Sequence, residues 1–232
     1  MRILVAADME GICGVVHWDH VAPSHPEHGR FRRLMSAEAN AAALGALAGG
    51  ADDVVVTDGH NDGCNILIEE LDPRVRLHCG SPHPLSMVQG VAEVGEIGLN
   101  AAVCAHFGVP VVAVCGCQAA CAEATQLLGP VETAAVKRAT ARGAAECLSP
   151  EAAQALVRQA AERGVARLAA GRAPAPWSVA APVELTVAFI HSQLADRAAL
   201  LPLARRDGRR VSVTAESMPV AYGLFRTLMN LT

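Results

Sequence analysis

The sequence is poor in aromatic residues and has no concentrated basic charge. Phe, Tyr and Trp make up 3% of its 232 residues, and the formal net charge is −4 with nine histidines neutral. Without stacking platforms or a Lys/Arg stripe, nucleic acid is excluded as an expected partner. Missing too is any run near the ~18 consecutive apolar residues that a membrane span needs. The opening MRILVAA is too short for the apolar core of a secretion signal and runs directly into acids, so the expected location is cytoplasmic, with no membrane partner. No disulfide framework shows either. Eight cysteines, at positions 13, 64, 79, 104, 115, 117, 121 and 147, lie scattered among apolar or small neighbours. In a reducing compartment that pattern predicts buried small hydrophobes rather than bridges.

What is plentiful is apolar content, 52% of the chain against 18% charged. That suffices for a real core in one large domain or two small ones. Three β-branched-rich runs stand out, RILVAA (2–7), DVVVT (53–57) and VPVVAVCG (109–116). A helical stretch, 30–48, separates the first two and stops at Gly49 and Gly50. Buried runs alternating with helices predict an α/β fold with a parallel sheet of βαβ units.

The plainest helix is 149–170: Ser149 suits its N-cap, Pro150 its first turn, Glu151 its positive end, and Gly171 follows as a stop. Next comes APAPW (173–177), a linker by composition. The expected organisation is a metal-binding α/β domain over 1–172, a linker at 173–176 and a smaller α/β domain over 177–232. That smaller domain reads as strand 183–190, helix near 193–203, strand 211–216 and a helix to about Leu231.

The chemistry sits at strand ends. DMEG (8–11) closes the first run with Asp8 and Glu10 one residue apart, and TDGH closes the second with Asp58 and His60 in the same spacing. Residues two apart in a strand leave the same face, so each pair should point together. If a crossover through 30–48 makes the two strands neighbours, their carboxyl ends lie side by side, where open α/β sheets place ligands. Asp8, Glu10, Asp58 and His60 would then converge. Carboxylates with one imidazole suit Zn²⁺ and tolerate Mn²⁺ or Co²⁺, although acids and histidines at strand ends also serve simply as caps.

Five blocks carry a resemblance: DMEGICG, TDGHND, SMVQG (86–90), GEIGLNA (95–101) and TAAVKRATARGAAECLSP (133–150). In this order they resemble the zinc-dependent D-aminopeptidases of the bacterial dipeptide-transport operon type, strongly over residues 1 to about 150 and more weakly beyond. The resemblance implies a two-domain α/β subunit, two Zn²⁺ ions per subunit and a ring-shaped homodecamer. It implies release of N-terminal D-residues from short D-peptides such as D-Ala-D-Ala. Carried over by position, Asp8 would bridge both metals, Glu10 and His60 would complete the first site, and Glu96 would ligate the second. Asp58 then moves to a supporting place, orienting His60 or its loop. Glu38, on the flank of its helix's apolar stripe, is a further candidate near the site.

The resemblance breaks at one junction. Between SMVQGV and AEVGEIGLNA the family carries a few tens of further residues, which supply the second metal's His ligand and a His thought to act in catalysis. Here Val91 runs directly into Ala92, so no catalytic acid or base can be named. Either the segment is deleted, leaving a half-equipped site with one ion, or the protein carries residues that this sequence omits.

Other features point to structure. His17, His20, His25 and His28 fall in a Pro- and Asp-containing loop with no metal-ligand spacing, expected to be a mobile surface loop near the site mouth. His78, His83, His106 and His191 stand singly. VCGCQAAC (114–121) reads as a strand-to-helix turn rather than a thiolate cluster, with Cys117 and Gln118 where the family tends to have acids. Lys137 and Arg142 could bind a substrate carboxylate or a neighbouring subunit.

With a complete site, two bridged ions would lower the pKa of a shared water for attack on the peptide carbonyl. The alternative is a non-catalytic, ring-forming relative that binds metal or peptide with one centre. A mononuclear hydrolase of another small amide is a third reading.

Overall fold

The computed structural model describes residues 1–80, 94–141 and 143–232. His83, the SMVQG block, the Val91–Ala92 junction and Arg142 lie outside these residues.

Strand β1 (Arg2–Ala7) opens the chain, followed by the short helix α1 (Trp18–Val21), the long helix α2 (His28–Ala48) and β2 (Asp53–Asp58). With β3 (Val75–His78) they form a parallel sheet in the order β1-β2-β3, and Ala7 stands opposite Asp58 at the carboxyl end. RILVAA and DVVVT are thus neighbours, as the crossover argument requires. Side chains alternate along β2: Val54 and Val56 are fully buried, and Asp58 falls in the same phase.

The chain continues with α3 (Glu96–His106), β4 (Ala113–Cys117), α4 (Gln118–Leu128), β5 (Glu132–Ala141), β6 (Ala144–Cys147) and α5 (Pro150–Ala169). After these come β7 (Val183–Ala188), α6 (Ser192–Ala198), β8 (Arg205–Asp207), β9 (Arg210–Ala215) and α7 (Met218–Asn230). The third apolar run becomes β4, and it is hydrogen-bonded into a second sheet, β4-β5-β6, instead of extending the first. Parallel strands need a crossover of about a dozen residues, and α4 supplies one, so β4 finds its partner locally in β5. The β5–β6 pair is antiparallel.

Contacts divide the described chain into two units, residues 1–80 with 112–174, and residues 94–111 with 175–232. In the first, α2 and α5 lie side by side. A Cβ on Gly49 would stand 2.6 Å from the carbonyl oxygen of Glu162, so glycine is what lets the two backbones meet. Helix α5 starts as its sequence suggests: the Ser149 side chain accepts from the N–H of Ala152 at 3.3 Å, and Pro150 opens the first turn. The core under the first sheet gathers Ile3, Met9, Phe31, Met35, Val54 and Val56.

The second unit holds an antiparallel sheet, β7-β9-β8. RRDGRR (205–210) folds back on itself through the two-residue loop Gly208–Arg209, adding a strand that hydrophobic patterning does not reveal. Helix α3 contributes Leu99 and Ala102 to this unit's core, beside Phe189, Val211, Val213 and Leu228. Among the described residues no helix is long and apolar enough to cross a membrane.

Candidate metal centre

Strand β1 ends at Ala7, one residue before the acids. Asp8 is extended and caps a 3-10 turn, Met9–Gly11, by accepting the N–H of Met9 at 2.8 Å. Met9 is fully buried. Plugging this side chain into the core turns its two neighbours outward, so Asp8 and Glu10 share a side because of an anchored turn rather than a continuing strand.

The loop after β2 is built around Asp58. Its carboxylate accepts the backbone N–H of His60 (3.2 Å), Asn65 (2.5 Å) and Ile66 (2.7 Å), and the Asn65 amide at 3.2 Å. The same Asn65 amide donates to the carbonyl of His60 at 2.6 Å. Gly63, at φ +72°, takes a left-handed conformation, and a Cβ there would come within 3.0 Å of Gly80 backbone. Asp58 therefore uses its acceptors on the loop's own N–H groups. It orients His60 from behind and does not join the outward cluster.

His60 stands between the two acids. Its Nδ1 is 3.0 Å from Asp8 Oδ1 and 3.0 Å from Glu10 Oε2. One ligand atom from each of the three residues can be chosen so that all lie within 4.8 Å, and no other such group of three occurs among the described residues. On the far side of the ring, Nε2 faces the carbonyl of Val21 at 3.3 Å. Burial opposes charge on His60, yet the hydrogen bonds and negative charge of Asp8 and Glu10 outweigh it and lift the imidazole to about 10. Burial opposes charge on Asp8 as well and would raise its carboxyl, but its bonds to His60 and Glu10 leave it below the ordinary carboxylate value. Two carboxylates thus draw a positive charge onto the ring between them. A divalent cation answers the same demand, and two oxygens with one nitrogen is a donor set that suits zinc. With Nε2–H donated to Val21, Nδ1 is the atom that a metal would take in place of the proton shared with Asp8 and Glu10.

The remaining candidates separate. Glu38 is buried and accepts the N–H of Cys13 at 2.8 Å, and burial pushes its carboxyl up to about 7. Glu96 is the first residue of α3, in the second unit, whereas Asp8, Glu10 and His60 belong to the first. Lys137 is not available to a substrate carboxylate. Its ammonium donates to the carbonyls of Glu10 (2.5 Å), Ile12 (3.0 Å) and Val15 (2.6 Å). Neither this grip nor the part played by Asn65 is evident from sequence. For Asn65 a signal existed, an amide seven residues after an acid in a turn-rich stretch. For Lys137 there was none.

The histidine-rich segment is locally ordered. His17 caps α1, His20 stacks on Phe31 with ring centroids 4.1 Å apart, and His25 accepts the N–H of Glu27. These roles account for their spacing, and Val21 carries the segment to His60. Cys117 caps α4 by accepting the N–H of Ala120, and burial lifts the Cys115 thiol to about 12. The turn is a strand-to-helix junction, and burial raises the Cys121 thiol as well.

The chain matches the D-aminopeptidase family over residues 1–93 and 92–227. A D-aminopeptidase of Bacillus subtilis (strain 168) is 32% identical over 187 residues, covering 65% of this chain and 68% of that protein. Among solved structures, a Zn-dependent D-aminopeptidase, DppA from Bacillus subtilis, described as a self-compartmentalizing protease, superposes with a TM-score of 0.92. The two are 28% identical, and the match spans 100% of this chain and 97% of that one.

Proposed function

Since the chain belongs to the D-aminopeptidase family, we propose that Asp8, Glu10 and His60 hold zinc and that the enzyme releases N-terminal D-residues from short D-peptides of the D-Ala-D-Ala type. The observation that carries the metal assignment is His60 Nδ1 lying 3.0 Å from both carboxylates. Bound there, zinc would supply Lewis acidity and a water of lowered pKa. The chain's own groups do the rest. Val21 holds the His60 ring in place through Nε2, and Asp58 and Asn65 hold the backbone beneath it. Asp8 and Glu10 are both about half exposed, so the cluster is open to a peptide from solvent.

Glu96 is assigned to a second ion by its place in GEIGLNA. Assembly into a ring, with a decamer as the expected size, is supported by the self-compartmentalizing character of the Bacillus subtilis structure. Eight free thiols fit a reducing, cytoplasmic setting.

The direct Val91–Ala92 join favours one other reading, a ring-forming relative with a single centre and no turnover. Metal analysis and D-Ala-D-Ala hydrolysis on the same preparation separate the two. Two zinc ions per chain with turnover are expected. One ion without turnover would replace the peptidase reading with the alternative.

A further inference from the structure

The segment 10–15 that carries Glu10 lies outside any strand, so sheet pairing does not serve its carbonyls, although that of Ile12 accepts the N–H of Val15 at 3.2 Å, and carbonyls left without a partner are costly. In this protein Lys137 takes three of them. Its side chain leaves the middle of β5, where the residue pairs with Cys117 on one neighbouring strand and Cys147 on the other. It is partly buried and reaches the carbonyls of Glu10, Ile12 and Val15 at 2.5–3.0 Å. An ammonium has three N–H donors, and here three acceptors use them all. On the same segment, Glu38 from α2 accepts the N–H of Cys13 at 2.8 Å. A cation therefore holds the carbonyls and a carboxylate holds an N–H, both from elements far away in sequence.

We infer that Lys137 is a positioning residue of the metal centre, fixing through the carbonyls of Glu10, Ile12 and Val15 where the Glu10 carboxylate stands and so setting metal affinity. The inference rests on the reading that Asp8, Glu10 and His60 bind a metal. Groups behind a ligand matter because a ligand must be held within a fraction of an ångström to bind well. Without the ammonium, residues 10–15 keep their covalent path but lose their common centre. Glu10 then samples positions away from His60 Nδ1.

The test uses the full chain and Co²⁺ as the probe, because its visible absorption reports the number and arrangement of donors. Wild type, Lys137→Met and Glu10→Gln are titrated with Co²⁺, and circular dichroism confirms the fold. Lys137→Met is expected to bind Co²⁺ about 10- to 100-fold more weakly, with an altered visible spectrum. Amide exchange over residues 10–15 should quicken in the metal-free protein. If Lys137→Met loses the fold, Lys137→Gln, which keeps two donors, is read in the same way and should show a smaller but measurable loss. A folded variant with wild-type affinity and spectrum would overturn the inference while leaving the metal site intact. If wild type and Glu10→Gln bind Co²⁺ alike, the metal reading itself fails and takes the inference with it.

Discussion

The loop after β2 is built mainly around its own Asp58 and Asn65, which reach only two to eight positions along the chain, and Arg32 of α2 adds bonds to the carbonyls of Cys64 and Asn65. The loop after β1 is held from outside, by Lys137 at a separation of 127 residues from Glu10 and by Glu38 at 25 from Cys13. Both present side chains to one cluster. A loop built around its own carboxylate costs little chain entropy to close, whereas the grip of Lys137 exists only after β5 has docked. The first loop should therefore be the more sensitive of the two to changes elsewhere in the protein.

The most damaging way to break this comparison is Asp8→Ala. It removes a cluster carboxylate and the cap of the Met9–Gly11 turn together. Bound zinc and D-Ala-D-Ala hydrolysis should both be lost, the latter by roughly a thousandfold or more. A variant with full metal content and turnover would refute the role of Asp8 as ligand.

Asp58→Ala attacks the self-closed loop, leaving the N–H groups of His60, Asn65 and Ile66 without their acceptor. A loss of about 4 kcal/mol in denaturant unfolding is expected. A cost within the noise of a surface substitution would show that the loop does not depend on this carboxylate.

The externally held loop has a pH signature through Glu38. Burial raises this carboxyl from the ordinary 4.5 to about 7, against the opposing pull of the Cys13 N–H and Lys137. Between those values the folded chain keeps a proton that the unfolded chain gives up. Stability should therefore fall as pH rises from 4.5 toward 7, by about 3 kcal/mol from this group. Glu38→Gln should flatten that slope in melts of the metal-free protein, and parallel wild-type and variant profiles would rule the effect out.

The smallest expected effect sharpens the contrast. Asn65→Ala should cost about 1–2 kcal/mol by losing its bonds to Asp58 and His60. Combined with Asp58→Ala it should be non-additive by about 1 kcal/mol, since both act on one loop. Combined with Glu38→Gln it should add, because their hydrogen bonds go to different loops. Strong coupling in the second pair would mean that the two loops are one unit.

Much of this arrangement is legible in the sequence. RILVAA and DVVVT declare themselves by β-branched content, and their pairing follows from the helix between them. Ser149–Pro150 marks the start of α5 because caps and first-turn prolines act within a few residues. Alternation along β2 also points Asp58 inward, in phase with Val54 and Val56. Less visible were the place of β4 in a second sheet and the β8–β9 hairpin. The first depends on which strand wins β4 as a partner, and the second lies in a charged stretch without apolar rhythm.

The sequence by itself determined the first two strands, the start of α5, and that Asp8, Glu10 and His60 leave neighbouring strand ends. Periodicity, caps and turn residues encode those outcomes, and their free energies arise over a few residues. Tertiary structure alone decided that Met9 would be the plug turning the acids outward, and that Lys137 would grip three carbonyls near Glu10. Such partners come from elements far apart in the chain. Their bonds exist only where folding brings those elements together.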